Sequence, residues 1–305
     1  MKKAVIEIGT NSVKLVIGQT AAEGGVKVLY DVNAITKLGE GLAADGVMCA
    51  AAMERTAQAA GKFAQFARFE GAKEITCVGT MALRTAKNAQ EFERLAYAES
   101  GVAVRILSGD EEAELSSCAM INSIAGASFG RVLLFDTGGG STEFIYAEDG
   151  RRSRSFSVAL GAVTLTDEYF KQSPAQPSVV CGVIASLTKG LAEDGVSTGA
   201  HMMIGTGGNV TAMAAVSMKM EEYDSAKVHG STLSKDEVMR QIMMYAVATD
   251  EERRKITGLS PKRADIILGG ACIILAAMEA AGAAEITVSD QSLRHELLKR
   301  LFAAA

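Results

Sequence analysis

Two stretches of the chain superimpose on each other without a gap, and this internal repeat limits the possible folds more than any other feature. The first is AVIEIGTNSVKLVI, residues 4–17, and the second is LLFDTGGGSTEFIY, residues 133–146. Matched positions share an acid, a glycine and a serine: Glu7 with Asp136, Gly9 with Gly138, and Ser12 with Ser141. Both stretches read as a strand, a tight glycine-containing turn and a returning strand. The chain is therefore predicted to contain the same structural device twice.

The order of the remaining segments supports two α/β domains. The 305 residues exceed one ordinary hydrophobic core, and strand patterns alternate with helix patterns in both halves. The pattern restarts near residues 122–130, which predicts domains at 1–124 and 125–289, with a helix at about 290–305 packing back on the first. The first 125 residues, three strand segments followed by alternating helices and strands, are expected to form a mostly parallel sheet with helices on its faces. Ser260 and Pro261 predict the start of a long helix.

Composition excludes several classes of function. The formal net charge is −5, which argues against a nucleic-acid-binding protein or a polybasic membrane anchor. The most apolar segment is interrupted by Glu279, so no membrane-spanning helix is expected. The five cysteines are widely spaced without a CxxC pair, and we interpret them as buried thiols of a cytoplasmic protein.

The residues of the two loops are suited to phosphate. A turn of glycine and hydroxyl residues places several main-chain N–H groups in one concavity, where they can bind phosphate oxygens. The acid before each turn would repel phosphate unless a cation such as Mg²⁺ lay between them. Two ordinary hairpins with glycine turns remain the alternative interpretation.

Eight short motifs, taken together, give the chain a family resemblance. They are, in order, IGTNSVKL, TMALRTAKN, SGDEEAEL, FDTGGGSTEF, LGAVTLT, GTGGNVTAM, GLSPKRADIILGG and VSDQSLR. The chain resembles the exopolyphosphatase and guanosine pentaphosphate phosphohydrolase family, of the actin, hexokinase and heat-shock chaperone ATPase superfamily. The resemblance implies two duplicated actin-like (ribonuclease H-like) domains, with mixed sheets flanked by helices and a phosphate-binding cleft between them. Longer members add a helical C-terminal region, so the chain is similar to the short form.

The resemblance also implies roles for individual residues. The expected phosphate-binding residues are Gly9, Thr10, Asn11, Ser12, Arg84, Gly138, Gly139, Gly140, Ser141 and Thr142. The expected metal-binding residues are Glu7, Asp136 and Glu143. Arg84 could instead be a surface charge, and Glu143 a strand residue that faces solvent.

The resemblance places the catalytic carboxylate in SGDEEAEL, where Glu111 and Glu112 compete. Ser108 and Glu111 have the spacing of a capping box, which gives Glu111 a structural role. Glu112 is rotated by about 100° on the helix, where it is free to face the cleft, and the resemblance also selects it as the general base. The alternative is that both glutamates only complement the helix N-terminus.

These residues predict a Mg²⁺-dependent (or other divalent-cation-dependent) hydrolase of terminal phosphoanhydride bonds. Inorganic polyphosphate is the first substrate expected, and guanosine pentaphosphate is the alternative. A non-catalytic sensor of these ligands also remains open, because the chain departs from the family pattern at Glu7, where aspartate is usual, at GGNVT, and at His295, where glutamate is usual. A phosphotransferase is the weakest option. We expect neither a nucleic-acid nor a membrane partner, and a homodimer is possible.

Overall fold

The fold consists of two compact units, each built on its own sheet. A computed structural model describes residues 1–21 and 24–303. The first unit contains Met1–Ala119 and the chain from Leu293 onward, and the second contains Met120–Ser292. Positions 304 and 305 of the predicted C-terminal helix lie outside the described residues.

The secondary structure alternates between strands and helices along most of the chain. The strands are β1 Lys2–Ile8, β2 Ser12–Thr20, β3 Val26–Ile35, β4 Ala72–Gly79, β5 Val104–Ile106, β6 Arg131–Thr137, β7 Thr142–Glu148, β8 Arg151–Val158, β9 Met202–Thr206, β10 Thr232–Ser234 and β11 Glu285–Val288. The helices are α1 Leu42–Asp45, α2 Ala50–Phe69, α3 Met81–Thr85, α4 Ala89–Ser100, α5 Gly109–Ile121, α6 Ala162–Tyr169, α7 Pro177–Glu193, α8 Gly208–Ser217, α9 Ser225–Val228, α10 Lys235–Val247, α11 Asp250–Arg253, α12 Ile267–Ala281 and α13 Leu293–Ala303.

The five-strand order of the first sheet recurs in the second, which adds a sixth strand, β10, at its edge, and this confirms the duplicated fold. The first runs β3-β2-β1-β4-β5, and the second runs β8-β7-β6-β9-β11-β10. In each sheet, the first three strands in the chain form an antiparallel meander. The first strand of the meander, β1 or β6, also pairs in parallel with the strand that follows the meander, β4 or β9. The prediction of a mostly parallel first sheet is therefore wrong, because the returning strand β2 pairs antiparallel with β1 through a short turn. Mixed sheets, as the family resemblance implies, are what the structure contains.

Both faces of the first sheet are covered by helices. Helix α2 carries an apolar stripe at spacings of four and three residues, and all of it is buried in one core with residues of β1 and β2: Met53, Ala57, Ala60, Ala64 and Ala67. The opposite face is covered by α13, whose Leu293, Leu297 and Leu298 pack on Val5 and Val16. The last helix is thereby fixed to the strand that leads into the first loop.

The second unit has a large core on one face of its sheet. Helix α12 is buried along nearly its whole length, among residues of α7, α8, α10 and strand β6. The sequence predicts that this helix starts at Pro261, but Pro261–Arg263 form a 3-10 turn and α12 begins at Ile267. Such tight turns are common before an α-helix, and the predicted start of the helix is therefore too early in the chain.

Two further sequence predictions concern the burial of the cysteines and the presence of membrane-spanning helices. Cys49 and Cys181 are exposed, so the interpretation of all the cysteines as buried thiols is wrong, although Cys77 and Cys272 are buried. Among residues 1–21 and 24–303, no helix combines the length and the apolar character needed to cross a bilayer.

Candidate active site

The first loop joins β1 to β2 and is closed by a main-chain hydrogen bond. The N–H of Gly9 donates to the carbonyl of Ser12 at 2.9 Å. The carbonyl groups of Thr10 and Asn11 accept hydrogen bonds of 2.8–3.0 Å from N–H groups of the segment 36–39. Among the hydrogen bonds of the described residues, none uses the N–H of Thr10 or Asn11. The loop therefore keeps main-chain donors for a ligand while its acceptors are satisfied by the protein.

The second loop, between β6 and β7, repeats this arrangement. The N–H of Gly138 donates to the carbonyl of Ser141, again at 2.9 Å. The carbonyls of Gly138 and Gly139 accept bonds of 2.9–3.3 Å from N–H groups of residues 162–164, at the start of α6. The N–H groups of Gly139 and Gly140 make no hydrogen bond within the described part of the chain. Both loops thus have the form of a main-chain anion-binding concavity.

Helix α6 explains part of the glycine content of the second loop. Gly161, just before the helix, lies so close to the loop that a Cβ there would collide with the main chain of Gly139 and Gly140. The helix start therefore supports the loop from one side by direct backbone contact.

The two acids that precede the loops have different cross-strand neighbours. Glu7 pairs with Lys14 across β1 and β2, and Asp136 pairs with Glu143 across β6 and β7. Directly opposed residues of antiparallel strands have neighbouring side chains on one face of the sheet. The first loop therefore combines an acid with a base, whereas the second combines two acids.

The side chains of the second loop are held by hydrogen bonds. Oε1 of Glu143 accepts from the hydroxyl of Ser141 at 2.7 Å and from that of Ser157 at 3.0 Å. Thr142 is fully buried, and its hydroxyl donates to the carbonyl of Leu160 at 2.6 Å. The structure thus uses the Thr142 side chain to fix the loop, and it places the Ser141 hydroxyl beside an acid.

Glu7 is buried, yet it stays ionised. Lys14 Nζ lies 2.9 Å from its Oε1, and Arg294 Nη1 lies 3.8 Å from its Oε2. Burial by itself raises the pKa of Glu7, but the charges of Lys14, Arg294 and His295 together lower it below its ordinary value. Oε2 has no hydrogen-bond partner among the described residues. This oxygen is thus closed off from solvent, with the guanidinium of Arg294 beside it.

The donor set of the second unit fits a hard divalent cation. Mg²⁺ is usually held by one or two carboxylates together with water and substrate phosphates. Asp136 and Glu143 supply two neighbouring carboxylates, and Gly207, with φ of 100°, packs so closely that a Cβ would lie 2.8 Å from Oδ1 of Asp136. Within residues 1–21 and 24–303, no group of three or more His, Cys, Asp or Glu side chains converges as a metal cage. The site thus suits a cation that keeps most of its water or phosphate ligands.

Arg84 and Glu112 form a salt bridge in the first unit. Arg84 Nη1 donates to Oε2 of Glu112 at 2.9 Å and to the carbonyl of Leu107 at 3.0 Å. The side chains are 32% and 18% exposed, so both can still reach a ligand. Sequence reasoning did not anticipate this pairing, in which Arg84 on α3 faces the first turn of α5.

Glu111 has the structural role that its spacing predicts. Its carboxylate accepts from the N–H of Ser108 at 2.9 Å, and the Ser108 hydroxyl accepts from the N–H of Glu111 at 3.1 Å. Arg105 lies 2.8 Å from the other carboxylate oxygen. These contacts hold the pKa of Glu111 below its ordinary value, the bond from Ser108 being the largest cause. The capping box is confirmed.

Sequence reasoning missed two basic residues near these loops. Lys14 occupies the position that matches Glu143 in the repeat, so the superposition already shows a lysine in one stretch where the other has a glutamate. The guanidinium of Arg263 occupies the space beside Gly208, at the start of α8. Burial lowers the pKa of Arg263, and nearby Tyr223 and Asp265 only partly oppose this. A desolvated guanidinium at a helix N-terminus is a second place where an anion could bind.

Comparison with known proteins decides the family. Residues 16–304 match the Ppx/GppA phosphatase family. The chain belongs to the Ppx/GppA phosphatase family. The enzyme class that the sequence predicts, a phosphoanhydride hydrolase, is confirmed at the level of this family.

Individual relatives agree with this assignment. The chain is 30% identical to exopolyphosphatase 2 of Mycobacterium tuberculosis, with 95% of both chains covered. It is 29% identical to a bifunctional 3-dehydroquinate synthase/phosphatase of Fusobacterium nucleatum, covering 94% of this chain but 45% of that protein. The crystal structure of the Aquifex aeolicus Ppx/GppA family member superimposes with a TM-score of 0.84 at 29% identity, covering 100% of this chain and 98% of that one. The two-domain actin-like fold is therefore confirmed.

Proposed function

We propose that the protein is a metal-dependent exopolyphosphatase that releases orthophosphate from the end of inorganic polyphosphate. The observation that carries this proposal is the repeated loop. In each unit the loop is closed by a 2.9 Å hydrogen bond, from the N–H of Gly9 to the carbonyl of Ser12 and from the N–H of Gly138 to the carbonyl of Ser141. In both units the loop leaves main-chain N–H groups available, and such groups bind the oxygens of a phosphate chain.

In the first unit, we assign the chemical step to Glu112. Its carboxylate would accept a proton from the attacking water as that water adds to the terminal phosphorus and the bridging oxygen leaves. Arg84, held by Glu112 and Leu107, presents a guanidinium to the negative charge that develops on the phosphoryl oxygens. Lys14 adds a second positive charge beside the first loop.

In the second unit, we assign cation binding to Asp136 and Glu143. A bound Mg²⁺ would neutralise phosphate charge and orient the terminal group. Ser141 and Ser157 hold the carboxylate of Glu143 by hydrogen bonds, so its orientation does not depend on the ligand. Glu7, the third acid of the expected metal-binding set, has Lys14 at one oxygen and the other oxygen buried beside Arg294, so we assign it no direct contact with the cation.

The choice of polyphosphate over a nucleotide is supported by the relatives. The Mycobacterium tuberculosis protein that matches over 95% of both chains is named an exopolyphosphatase. The family name covers guanosine pentaphosphate phosphatases as well, so that substrate is the competing assignment.

The test is a parallel assay of phosphate release from polyphosphate, guanosine pentaphosphate and ATP, each with and without Mg²⁺. We expect release from polyphosphate at the highest rate, and only with the cation. Faster release from guanosine pentaphosphate would replace the substrate assignment. Binding of polyphosphate without release from any substrate would indicate a sensor, and transfer from ATP only with an added acceptor would indicate a kinase.

A further inference from the structure

We propose that Lys37 is a further phosphate-binding residue at the first loop, where its ammonium group contacts the phosphate chain that the loop holds. The phosphate-binding residues expected from the sequence do not include Lys37. The inference rests on the proposed function in taking polyphosphate as the ligand, and it adds a contact that sets how tightly the chain is bound.

The segment that follows β3 lies directly against the first loop. The N–H groups of Thr36 and Lys37 both donate to the carbonyl of Asn11 at 3.0 Å. The N–H of Gly39 donates to the carbonyl of Thr10 at 2.8 Å, and a Cβ on Gly39 would collide with the Thr10 side chain. Lys37 is therefore fixed beside the main-chain N–H groups that the loop keeps for a ligand.

Lys37 has a backbone conformation that lysine rarely adopts. Its φ is 52°, in the left-handed region, where the Cβ of an L-residue lies too close to the following carbonyl oxygen. Thr36 and Leu38 on either side are buried, and of the three side chains Lys37 alone is exposed. Glycine would adopt this backbone without strain, so a lysine here costs conformational energy. Strained residues of this kind cluster at ligand-binding sites, which points to a role for the side chain itself.

Lys37 also supplies positive charge where the loop itself has none. Within residues 8–13 and 36–39 it is the one charged residue. The next basic residue along β2, Lys14, has its ammonium group 2.9 Å from a carboxylate oxygen of Glu7. The ammonium of lysine is a compact point charge on a flexible four-carbon stem, and such groups commonly bind phosphate. Because its main chain is bonded to the loop, Lys37 can reach phosphate oxygens that the loop holds.

The left-handed φ allows a substitution that separates the side chain from the backbone. Lys37→Gly removes the charge but keeps a conformation that glycine adopts freely, so we expect a melting temperature equal to that of wild type or higher. If Lys37 served only the structure of the loop, this change would leave ligand binding intact. If the ammonium binds phosphate, the variant keeps its stability and binds polyphosphate more weakly.

The experiment measures polyphosphate binding by calorimetry in the presence of Mg²⁺, with a Glu112→Gln parent and further variants made in it, so that bound substrate is not consumed. We expect Lys37→Gly to weaken binding about tenfold, as the loss of a hydrogen bond to a charged group does. The loss should shrink as the salt concentration rises from about 0.05 M to about 0.5 M, because salt screens an exposed ammonium. Lys37→Arg keeps the charge and should retain the affinity of the parent.

Lys219→Gly is the matched control. Lys219 is also an exposed lysine with a left-handed φ, of 49°. It follows α8, and its N–H donates to the carbonyl of Val216 at 3.0 Å, so its conformation is that of a residue ending a helix. It lies at the opposite end of α8 from Gly207, which packs on Asp136. The substitution removes the same charge and the same backbone strain, and we expect it to leave polyphosphate affinity unchanged.

Four results would overturn the inference. They are no binding of polyphosphate by the parent, equal affinity in Lys37→Gly and the parent, an equal loss in Lys37→Gly and Lys219→Gly, or a loss in Lys37→Arg as large as that in Lys37→Gly. If Lys37→Gly does not fold, Lys37→Asn takes its place, because asparagine also tolerates a left-handed φ. Phosphate release by protein with Glu112 intact tests the proposed function separately, so release together with unchanged affinity in Lys37→Gly would refute the role of Lys37 alone.

Discussion

Nη1 of Arg84 lies 2.9 Å from Oε2 of Glu112, so the proposed base and a proposed phosphate-binding guanidinium are one ion pair. Arg84 is fixed in turn by the carbonyl of Leu107. The pair keeps the carboxylate oriented before any substrate binds, and it places positive charge beside the oxygen that would accept the proton.

Glu112→Gln tests the assignment of the base. The amide retains the shape of the side chain but cannot accept the proton, so we expect turnover to fall by roughly 10² to 10⁴ with polyphosphate binding preserved. Steady-state rates and equilibrium binding measure the two effects separately.

Glu111→Gln is the matched control. A glutamine can still complete the capping box with Ser108, so we expect a small loss of stability and wild-type turnover. If Glu111→Gln abolished activity and Glu112→Gln did not, the two assignments would be reversed.

Gly161→Ala tests the support of the second loop. The added methyl would collide with the main chain of Gly139 and Gly140, so the loop must shift. We expect about 1–3 kcal/mol lower stability and weaker binding of polyphosphate. Gly190→Ala, inside α7 where a Cβ meets nothing within 4 Å, should instead leave binding unchanged. Equal polyphosphate affinity in both variants would argue against the loop as a phosphate site.

The contacts of Asp31 with Arg294 and His295 predict a pH dependence of stability. Burial alone would raise the pKa of Asp31, but Arg294 and His295 outweigh it and hold the pKa well below its usual range. A depressed pKa in the folded state stabilises the protein above the pKa of the unfolded chain, near 4, and this stabilisation is lost as the pH falls below it. Urea unfolding at pH 7, 5 and 3.5 measures the free energy of unfolding of wild type and of Asp31→Asn. We expect the difference between the two proteins to become smaller as the pH falls. A constant difference would contradict the ion pairing.

Asp136→Asn and Glu143→Gln test the cation site. Each removes one of two neighbouring carboxylates, so we expect the Mg²⁺ concentration for half-maximal activity to rise about tenfold or more. Ser157→Ala removes only one hydrogen bond to Glu143 and should have a smaller effect in the same direction. Unchanged Mg²⁺ dependence in both carboxylate variants would show that the cation is bound by other residues.

The fold could be predicted from local patterns because those patterns repeat. The hairpin of Glu7 and that of Asp136 have the same register, and the stripe on α2 is buried as its spacing indicates. Patterns of this kind depend on residues a few positions apart.

The missing parts of the site depend on contacts between distant residues. Asp31 and Arg294 are 263 positions apart, and Arg84 and Glu112 are 28 apart. No periodicity or turn rule links such pairs, so sequence reasoning did not anticipate the partner of Glu112 and gave Asp31 no role. The residues that differ between the two repeats, Lys14 and Glu143, were the one signal that could have shown the asymmetry.

The central claim is that the protein removes phosphate from the ends of polyphosphate, and ³¹P NMR of a polyphosphate sample with wild-type protein and Mg²⁺ tests it most directly. Cleavage of terminal residues predicts that the orthophosphate signal grows as the internal-phosphate signal falls, while the end-group signal stays constant early in the reaction. A spectrum that does not change, recorded with folded protein that binds polyphosphate, would contradict the account.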